Sequence, residues 1–247
     1  MLGVSVRRGG RVALDEVSLQ VRAGELVVVE GARGAGKSTL LRIAAALRWP
    51  DAGEVWVAGR DVMALQRASL PYVRRNIGYF APDIPLLPRT TVLENVMLAA
   101  AARGAEPAHA RELAMRALGR VGALGTAIRR VEALSTAERR LCCLARALTG
   151  APPLLVLDDP GGALAASDAG AVLSAVLGAV ELGAAALCAS ADGAFAAAAV
   201  RAGGRRVRLE SGRLLPGGGP VGIISARRLG GGQAGEDEIE GRIEVGS

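Results

Sequence analysis

One stretch of the chain has the residue types and spacing of a phosphate-binding loop. Residues 31–39 read G-A-R-G-A-G-K-S-T, which fits the pattern G-x-x-x-x-G-K-S. In such a loop the glycines let backbone N–H groups turn towards phosphate oxygens, and the following helix N-terminus adds positive potential. Lys37 is then expected to contact the β- and γ-phosphates, and the Ser38 hydroxyl to bind Mg²⁺. The predicted nucleotide-binding residues are Gly31, Gly34, Ala35, Gly36, Lys37, Ser38 and Thr39.

The sequence on both sides of the loop has the strand and helix that this motif requires. The apolar run at residues 26–29 precedes it, and a helical pattern at residues 40–47 follows it. A flexible loop is the alternative, because the chain has 34 glycines. Lys37 is, however, the only lysine of the chain, at the one position where phosphate chemistry requires it. The sequence therefore favours nucleotide binding.

The remaining segments predict the elements that hold the loop. Alternating apolar residues at 4–6 and 17–21 predict two N-terminal strands around a turn at residues 8–11. Capping boxes that begin at Thr91 and Ser135 predict helix starts. Further strands are predicted at residues 55–59, 76–80, 154–159, 185–190 and 205–209, and a further helix at residues 108–122. Strands that alternate with helices indicate an α/β fold, with a parallel sheet that carries the loop at its carboxyl edge.

Length and composition set the expected domain organisation. A chain of 247 residues that is 51% hydrophobic can form one large α/β domain with a small subdomain. We expect the domain to span residues 1–215, with an N-terminal antiparallel β subdomain and a helical subdomain at about residues 84–149. Residues 216–247, rich in glycine and then acidic, predict a mostly disordered tail.

Composition also indicates which partners and which cellular location to expect. The net charge of +6 would suit nucleic acid, but aromatic residues are only 2%, so few side chains could stack on bases. No nucleic-acid partner is therefore expected. No apolar run reaches the length that spans a bilayer, and the first residues lack the order of a signal peptide, which predicts a cytoplasmic protein. The three cysteines lack metal-ligand spacing and are expected to be reduced core residues.

Five segments follow one another as in the ATP-binding cassette (ABC) family of transport ATPases, which the chain resembles over about residues 1–215. In order they are Walker A at residues 31–39, the Q-loop region at 77–83, the signature at 134–138, Walker B at 154–159 and the switch region at 190–192. The separation of Ser135 from Asp158 is also like that of the family. Residues 86–96 look most like the cell-division and lipoprotein-release branch.

The resemblance implies an ATP-binding subunit of a transporter. Such a cassette binds ATP with Mg²⁺ between two head-to-tail subunits, as a homodimer or a heterodimer, and moves an attached membrane permease. The implied metal ligands are Ser38 and Asp158, Ser135 would contact the nucleotide of the partner subunit, and Asp159 stands at the catalytic glutamate position. Residues 83–98 would face the permease, which implies a peripheral place on the inner face of the cell membrane.

Several positions depart from the family pattern, and each departure has a chemical consequence. The Q-loop glutamine is replaced by Pro82, which lacks a side-chain amide, although Asp83 follows it. Asp159 is one methylene shorter than glutamate, and a carboxylate displaced by about 1 Å can lower a rate about 100-fold. The other replaced positions are Arg7 or Arg8 for the adenine-stacking aromatic, Thr136 and Ala137 for the signature glycines, Ala165 for the D-loop aspartate and Ala191 for the switch histidine.

These departures leave three functional hypotheses. The leading one is a transporter ATPase subunit that binds Mg-ATP and hydrolyses it slowly. The second is a non-catalytic regulatory cassette that binds nucleotide to control dimerisation or a membrane partner. The third, a DNA-maintenance ATPase, is disfavoured because the segment between Walker A and the signature is too short for a coiled-coil insert.

Overall fold

The computed structural model describes residues 1–215; the predicted tail at residues 216–247 lies outside the described residues. The strands are β1 (Leu2–Arg8), β2 (Arg11–Val17), β3 (Leu26–Glu30), β4 (Ala52–Glu54), β5 (Trp56–Val57), β6 (Arg60–Asp61), β7 (Ile77–Phe80), β8 (Leu154–Asp158), β9 (Ala185–Ser190), β10 (Arg205–Glu210) and β11 (Arg213–Leu215). The helices are α1 (Lys37–Ala44), α2 (Leu70–Arg74), α3 (Val92–Ala101), α4 (Pro107–Arg120), α5 (Thr136–Leu148), α6 (Ala166–Glu181) and α7 (Gly193–Arg201), with short 3₁₀ turns at Arg67–Ser69, Leu124–Thr126 and Val131–Ala133. This is the predicted α/β fold of a P-loop nucleoside triphosphatase.

A six-stranded sheet forms the centre of the molecule. Its order is β11-β10-β3-β9-β8-β7, and β10, β3, β9, β8 and β7 pair in parallel, while β11 is antiparallel to β10. Alternate residues of β3 face opposite layers: Val27 and Val29 pack with α1 and the N-terminal strands, and Val28 packs with the later helices. The prediction of a parallel sheet is confirmed, with one antiparallel edge strand added.

The N-terminal strands form a separate antiparallel sheet of order β2-β1-β4. The second strand was expected at residues 17–21, but β2 starts directly after the turn and ends at Val17. Residues 17–21 alternate because Leu19 is buried and pairs with Met1 through two backbone hydrogen bonds, not because they form a ladder. Likewise, only Trp56–Val57 of the strand expected at residues 55–59 forms, as a two-residue hairpin with β6.

Three helices, α3, α4 and α5, pack on one another beside the sheet. Both predicted capping boxes are present: Thr91 caps α3 with Glu94, and Ser135 caps α5 with Glu138. Their apolar residues join the core that also lies under α6 and α7. The helical subdomain at about residues 84–149 and the domain limit at residue 215 stay predictions.

Within residues 1–215, no helix is both long enough and apolar enough to traverse a lipid bilayer.

Candidate functional site

The Walker A loop connects β3 to α1 and is packed between two strands. A Cβ at Gly31 would lie 2.3 Å from the Leu209 carbonyl oxygen, and one at Gly36 would lie 2.4 Å from the Ala13 carbonyl oxygen. Gly36 also has φ 107°, in the left-handed region that favours glycine. Both glycines are therefore required by close backbone approach. Gly34, with φ 85°, has open space around it.

The start of α1 is suited to an anion. Its N-cap is Gly36, which has no side chain to cap the first turn, and that turn contains no acidic residue. The first N–H groups of a helix have no partner within the helix, and the helix dipole is positive at this end. Lys37 Nζ donates to the carbonyl oxygens of Gly31 (2.5 Å) and Ala32 (3.0 Å), so its charge lies over the loop. Backbone dipoles and ammonium together can hold phosphate groups.

Ser38 and Asp158 form a donor set that fits Mg²⁺. Asp158 is the last residue of β8, next to α1, and the Ser38 hydroxyl lies close enough to its carboxylate to influence its pKa. Burial raises the pKa of Asp158 above its usual range, the Ser38 hydroxyl opposes this shift, and the neighbouring Asp159 adds to it. One hydroxyl and one carboxylate are a common protein contribution to Mg²⁺ bound with nucleotide phosphates. The residues present therefore fit the ion.

Asp159 lies in a left-handed turn in which each of its polar groups has a partner. Its φ is 53°. Its N–H donates to the Ala189 carbonyl oxygen (2.8 Å), and its own carbonyl oxygen accepts the Gly162 N–H (3.2 Å). The carboxylate accepts the Ala191 N–H (3.3 Å) and the Ser190 hydroxyl (3.5 Å). The expected catalytic carboxylate is thus bound to the switch region, where the family's histidine is absent.

Two glycines after Walker B lie close to neighbouring side chains in this turn, and the sequence alone did not single them out. A Cβ at Gly162 would lie 1.9 Å from Asp159 Oδ2, and one at Gly161 would lie 2.4 Å from the Phe195 ring. The signal that could have found them is the Pro-Gly-Gly run directly after the two aspartates, which is typical of a tight turn.

Asp83, which follows the proline at the Q-loop position, is paired with the Walker A helix. Its carboxylate accepts a hydrogen bond from Arg42 Nη2 at 2.5 Å. Arg42 is one turn after Ser38 on α1, and the Tyr79 hydroxyl lies beside it. Burial raises the pKa of Tyr79, and the Arg42 guanidinium partly opposes this shift. Asp83 therefore anchors the chain after β7 to α1 instead of presenting a free carboxylate.

The signature forms a helix start that is separate from Walker A. The Ser135 hydroxyl accepts the Glu138 N–H at 3.2 Å, and the Glu138 carboxylate accepts the Ser135 N–H at 2.8 Å. Glu138 also pairs with Arg129 at 2.5 Å. These bonds are all local, and within residues 1–215 no hydrogen bond of Ser135 reaches the Walker segments. The structure thus brings Lys37, Ser38, Asp158 and Asp159 to one sheet edge and leaves Ser135 elsewhere.

An apolar cavity of about 500 Å³ lies between the chain after β7 and helix α5. Its walls include Phe80, Pro82 and Ile84 on one side and Thr136, Arg140 and Cys143 on the other. Ile84 and Leu87 nearby are 37% and 49% exposed, which is high for large apolar side chains. The segment expected to face a permease therefore presents an apolar surface with an opening into the molecule.

Proteins of similar sequence identify the family of this chain. The family model described as ABC transporter matches residues 14–162. The chain is 35% identical over 156 residues to the cell division ATP-binding protein FtsE of Escherichia coli, a match that covers 63% of this chain and 70% of FtsE. It is 37% identical over 167 residues to the lipoprotein-releasing system ATP-binding protein LolD of Paramagnetospirillum magneticum, with 65% and 74% covered.

Solved structures give the same result. The dimeric structure of MJ0796, a bacterial ABC transporter cassette, superposes with a TM-score of 0.79 at 28% identity and covers 86% of this chain and 94% of that one. A dimeric post-hydrolysis state of MJ0796 bound to ADP and Pi gives a TM-score of 0.78 at 29% identity and covers the same shares. The chain therefore belongs to the ABC transporter family, as an ATP-binding cassette homologous to FtsE and LolD.

Proposed function

We propose that this chain is the ATP-binding subunit of an ABC transporter that binds Mg-ATP at residues 31–39 and hydrolyses it slowly. The proposal rests on a contrast, at one edge of the sheet, between the residues that would bind nucleotide and the residue at the catalytic position. The phosphate loop, Lys37, Ser38 and Asp158 are all present and lie together, whereas the Asp159 carboxylate accepts hydrogen bonds of 3.3 and 3.5 Å from the switch region. Binding is thus supported by intact chemistry, and slow turnover by a tethered carboxylate.

Each residue has a proposed role in this function. Backbone N–H groups of the loop and Lys37 hold the phosphates, and Ser38 and Asp158 hold Mg²⁺. Bound Mg²⁺ would neutralise charge that develops on the phosphate oxygens. Asp159 would orient water, and Ser135 would contact nucleotide held by a second cassette. The separation of Ser135 from Walker A within one chain supports a site shared between two subunits.

The proposal extends to partners. FtsE and LolD are ATP-binding proteins of a cell-division and a lipoprotein-releasing system, and MacB of Burkholderia pseudomallei, 36% identical over 154 residues, is an ATP-binding/permease protein. We propose that this chain likewise pairs with a second cassette and a membrane permease, on the inner face of the membrane. The apolar cavity beside Ile84 is the proposed permease-facing surface.

Nucleotide binding and turnover, measured with and without the permease, test the function. We expect Mg²⁺-dependent binding of a fluorescent ATP analogue, weakened at least about tenfold by Lys37→Ala, with slow turnover by the unaltered chain. Asp158→Asn is expected to remove the Mg²⁺ dependence without unfolding the protein. Robust hydrolysis that Lys37→Ala abolishes would contradict slow turnover, and an absence of nucleotide binding would contradict the whole proposal.

The tethered Asp159 also favours a second candidate, a non-catalytic regulatory cassette. In that case ATP shifts the oligomeric state, and Asp159→Asn changes neither binding nor any measured turnover. A drop in turnover on Asp159→Asn would remove this candidate.

A further inference from the structure

We propose that Arg140 is a positioning residue that holds the Walker B turn from the helix that follows the signature. Arg140 lies on α5, and its Nη2 donates to the Asp159 carbonyl oxygen at 2.5 Å. The two residues are 19 positions apart in the chain, on different elements. The Arg140 side chain therefore connects α5 to the turn at Asp159.

The hydrogen bonds of the Asp159 carbonyl oxygen help to fix the conformation of the turn. The Asp159 carbonyl oxygen accepts two hydrogen bonds, one from Arg140 and one from the Gly162 N–H at 3.2 Å. Left-handed backbone costs most residues other than glycine about 1–2 kcal/mol, and aspartate less, so surrounding contacts help to hold it. A hydrogen bond from a charged donor is stronger than one from a neutral donor. Arg140 is thus placed to hold the carbonyl direction, and with it the place of the Asp159 carboxylate.

The groups around Arg140 do not stabilise its partly buried charge enough to explain why an arginine lies there. Its guanidinium lies over the Phe80 ring, 5.6 Å from the centroid, and its Nε is buried without a hydrogen-bond partner. Within residues 1–215, no carboxylate is near enough to Arg140 to form an ion pair with it. A partly buried cation without a carboxylate costs free energy. Its bond to the Asp159 carbonyl is the contact that accounts for this arrangement.

Arg140 also lines the apolar cavity, together with Pro82 and Thr136. One side chain therefore contacts both the cavity and the catalytic turn. A permease segment that entered the cavity would touch the residue that holds Asp159, a consequence that rests on the proposed function. The placement of the turn by Arg140 does not depend on it.

Hydrogen–deuterium exchange on the full chain tests the positioning directly. Arg140→Met removes the guanidinium and keeps a long side chain, and Arg140→Lys retains one charged donor. We expect Arg140→Met to speed exchange at residues 159–165 by about tenfold, with residues 26–39 unchanged and Arg140→Lys in between. Arg139→Met is the matched control, because Arg139 is the neighbouring, exposed residue and bonds to the Leu134 carbonyl instead.

Nucleotide kinetics supply the functional readout. Arg140→Met is expected to lower kcat about tenfold and to leave the affinity for the ATP analogue within about twofold of the unaltered chain. Exchange at residues 159–165 equal to that of Arg139→Met would overturn the proposal. If the unaltered chain shows no turnover, slow hydrolysis is refuted and exchange alone decides the role of Arg140. If Arg140→Met does not fold, Arg140→Lys decides it by the same comparison of exchange at residues 159–165.

Discussion

At the scale of single residues, Asp159 connects three elements through its backbone and side chain. It bonds to Ala189 at the end of β9, to the switch region, and to Arg140 on α5. Aspartate tolerates the left-handed region better than most residues do, because its short polar side chain can bond locally. The replacement of glutamate by aspartate is thus compatible with the turn, although it shortens the reach of the carboxylate.

Gly162→Ala is predicted to destabilise the protein. The new Cβ would lie 1.9 Å from Asp159 Oδ2, so the carboxylate or the turn must move. Overpacking of a tightly packed core costs about 1–3 kcal/mol, and because the half-buried Asp159 carboxylate can rotate away, we expect a cost of about 1 kcal/mol or less. Urea unfolding measures the change in the free energy of unfolding, and loss of the Asp159 contacts should also lower any turnover.

Gly170→Ala is the matched control for that substitution. Gly170 lies within α6, and a Cβ there would have nothing within 4 Å. Alanine in a helix interior is more favourable than glycine by about 0.5–1 kcal/mol, so this variant should be slightly more stable. Similar effects at the two positions would contradict the role given to Gly162.

At the scale of elements, ion pairs fasten segments that are distant in the chain. Arg42 on α1 holds Asp83 after β7, and Glu25 before β3 holds Arg205 at the start of β10, at 2.5 and 2.6 Å. The first pair lies at the carboxyl ends of the parallel strands and the second at their amino ends, and each helps to fix the position of a neighbouring element. Their measurable contributions differ with exposure.

A double-mutant cycle on Arg42→Gln and Asp83→Asn is predicted to give a coupling free energy of about 1 kcal/mol, the upper end for partly exposed pairs. The side chains are 34% and 59% exposed, so solvent weakens the pair without removing it. Urea unfolding of the four variants measures the coupling. The exposed Glu112–Arg116 pair on α4 is the comparison, at about 0.3–0.5 kcal/mol, and an equal or smaller value for Arg42–Asp83 would contradict the anchoring role.

The Glu25–Arg205 pair predicts a pH dependence of stability. Burial raises the pKa of Glu25, but the hydrogen bond from Arg205 and the Arg22 N–H outweigh it, so the pKa is lowered from 4.5. A lowered folded-state pKa contributes stability above the unfolded-state pKa, and that contribution is lost as the pH falls through the folded-state value. The stability difference between the unaltered protein and Glu25→Gln should therefore shrink as the pH falls from about 5 to below the lowered folded-state pKa of Glu25. A difference that stays constant over this range, measured by urea unfolding, would contradict the prediction.

At the scale of the whole molecule, the groups for nucleotide chemistry lie in two places. Lys37, Ser38 and Asp158 meet at the carboxyl edge of the sheet, whereas Ser135 begins α5. Under the proposed function a single chain presents each half of a composite site, and the structural relative MJ0796 was solved as a dimer. The arrangement favours assembly of two cassettes around nucleotide.

Mg-ATP is accordingly predicted to convert the purified chain from monomer to dimer, as measured by size-exclusion chromatography with light scattering. Lys37→Ala should stay monomeric at the same nucleotide concentration, because the phosphates would bind weakly. A heterodimer with a second cassette would leave the purified chain monomeric and form only when that cassette is added. Dimerisation that is equal with and without nucleotide would contradict a nucleotide-dependent interface.

The sequence by itself determined the parts that depend on local chemistry. The spacing of Gly31, Gly36, Lys37 and Ser38 predicted the phosphate loop, because the motif lies on contiguous residues with fixed backbone requirements. Capping boxes at Thr91 and Ser135 predicted two helix starts for the same reason. The family resemblance and the α/β fold followed from the order of such segments, and both are confirmed.

The tertiary structure alone decided the contacts between residues far apart in sequence. The Asp83–Arg42 pair, the Asp159 contacts with the switch region and the Arg140 bond each join residues at least 19 positions apart. No local pattern encodes them, because they arise only when strands and helices pack together. The limits of β2 and β5 also differ from those predicted by local pattern. Residues 17–21 have the periodicity of a strand because Leu19 is buried against the first residues of the chain.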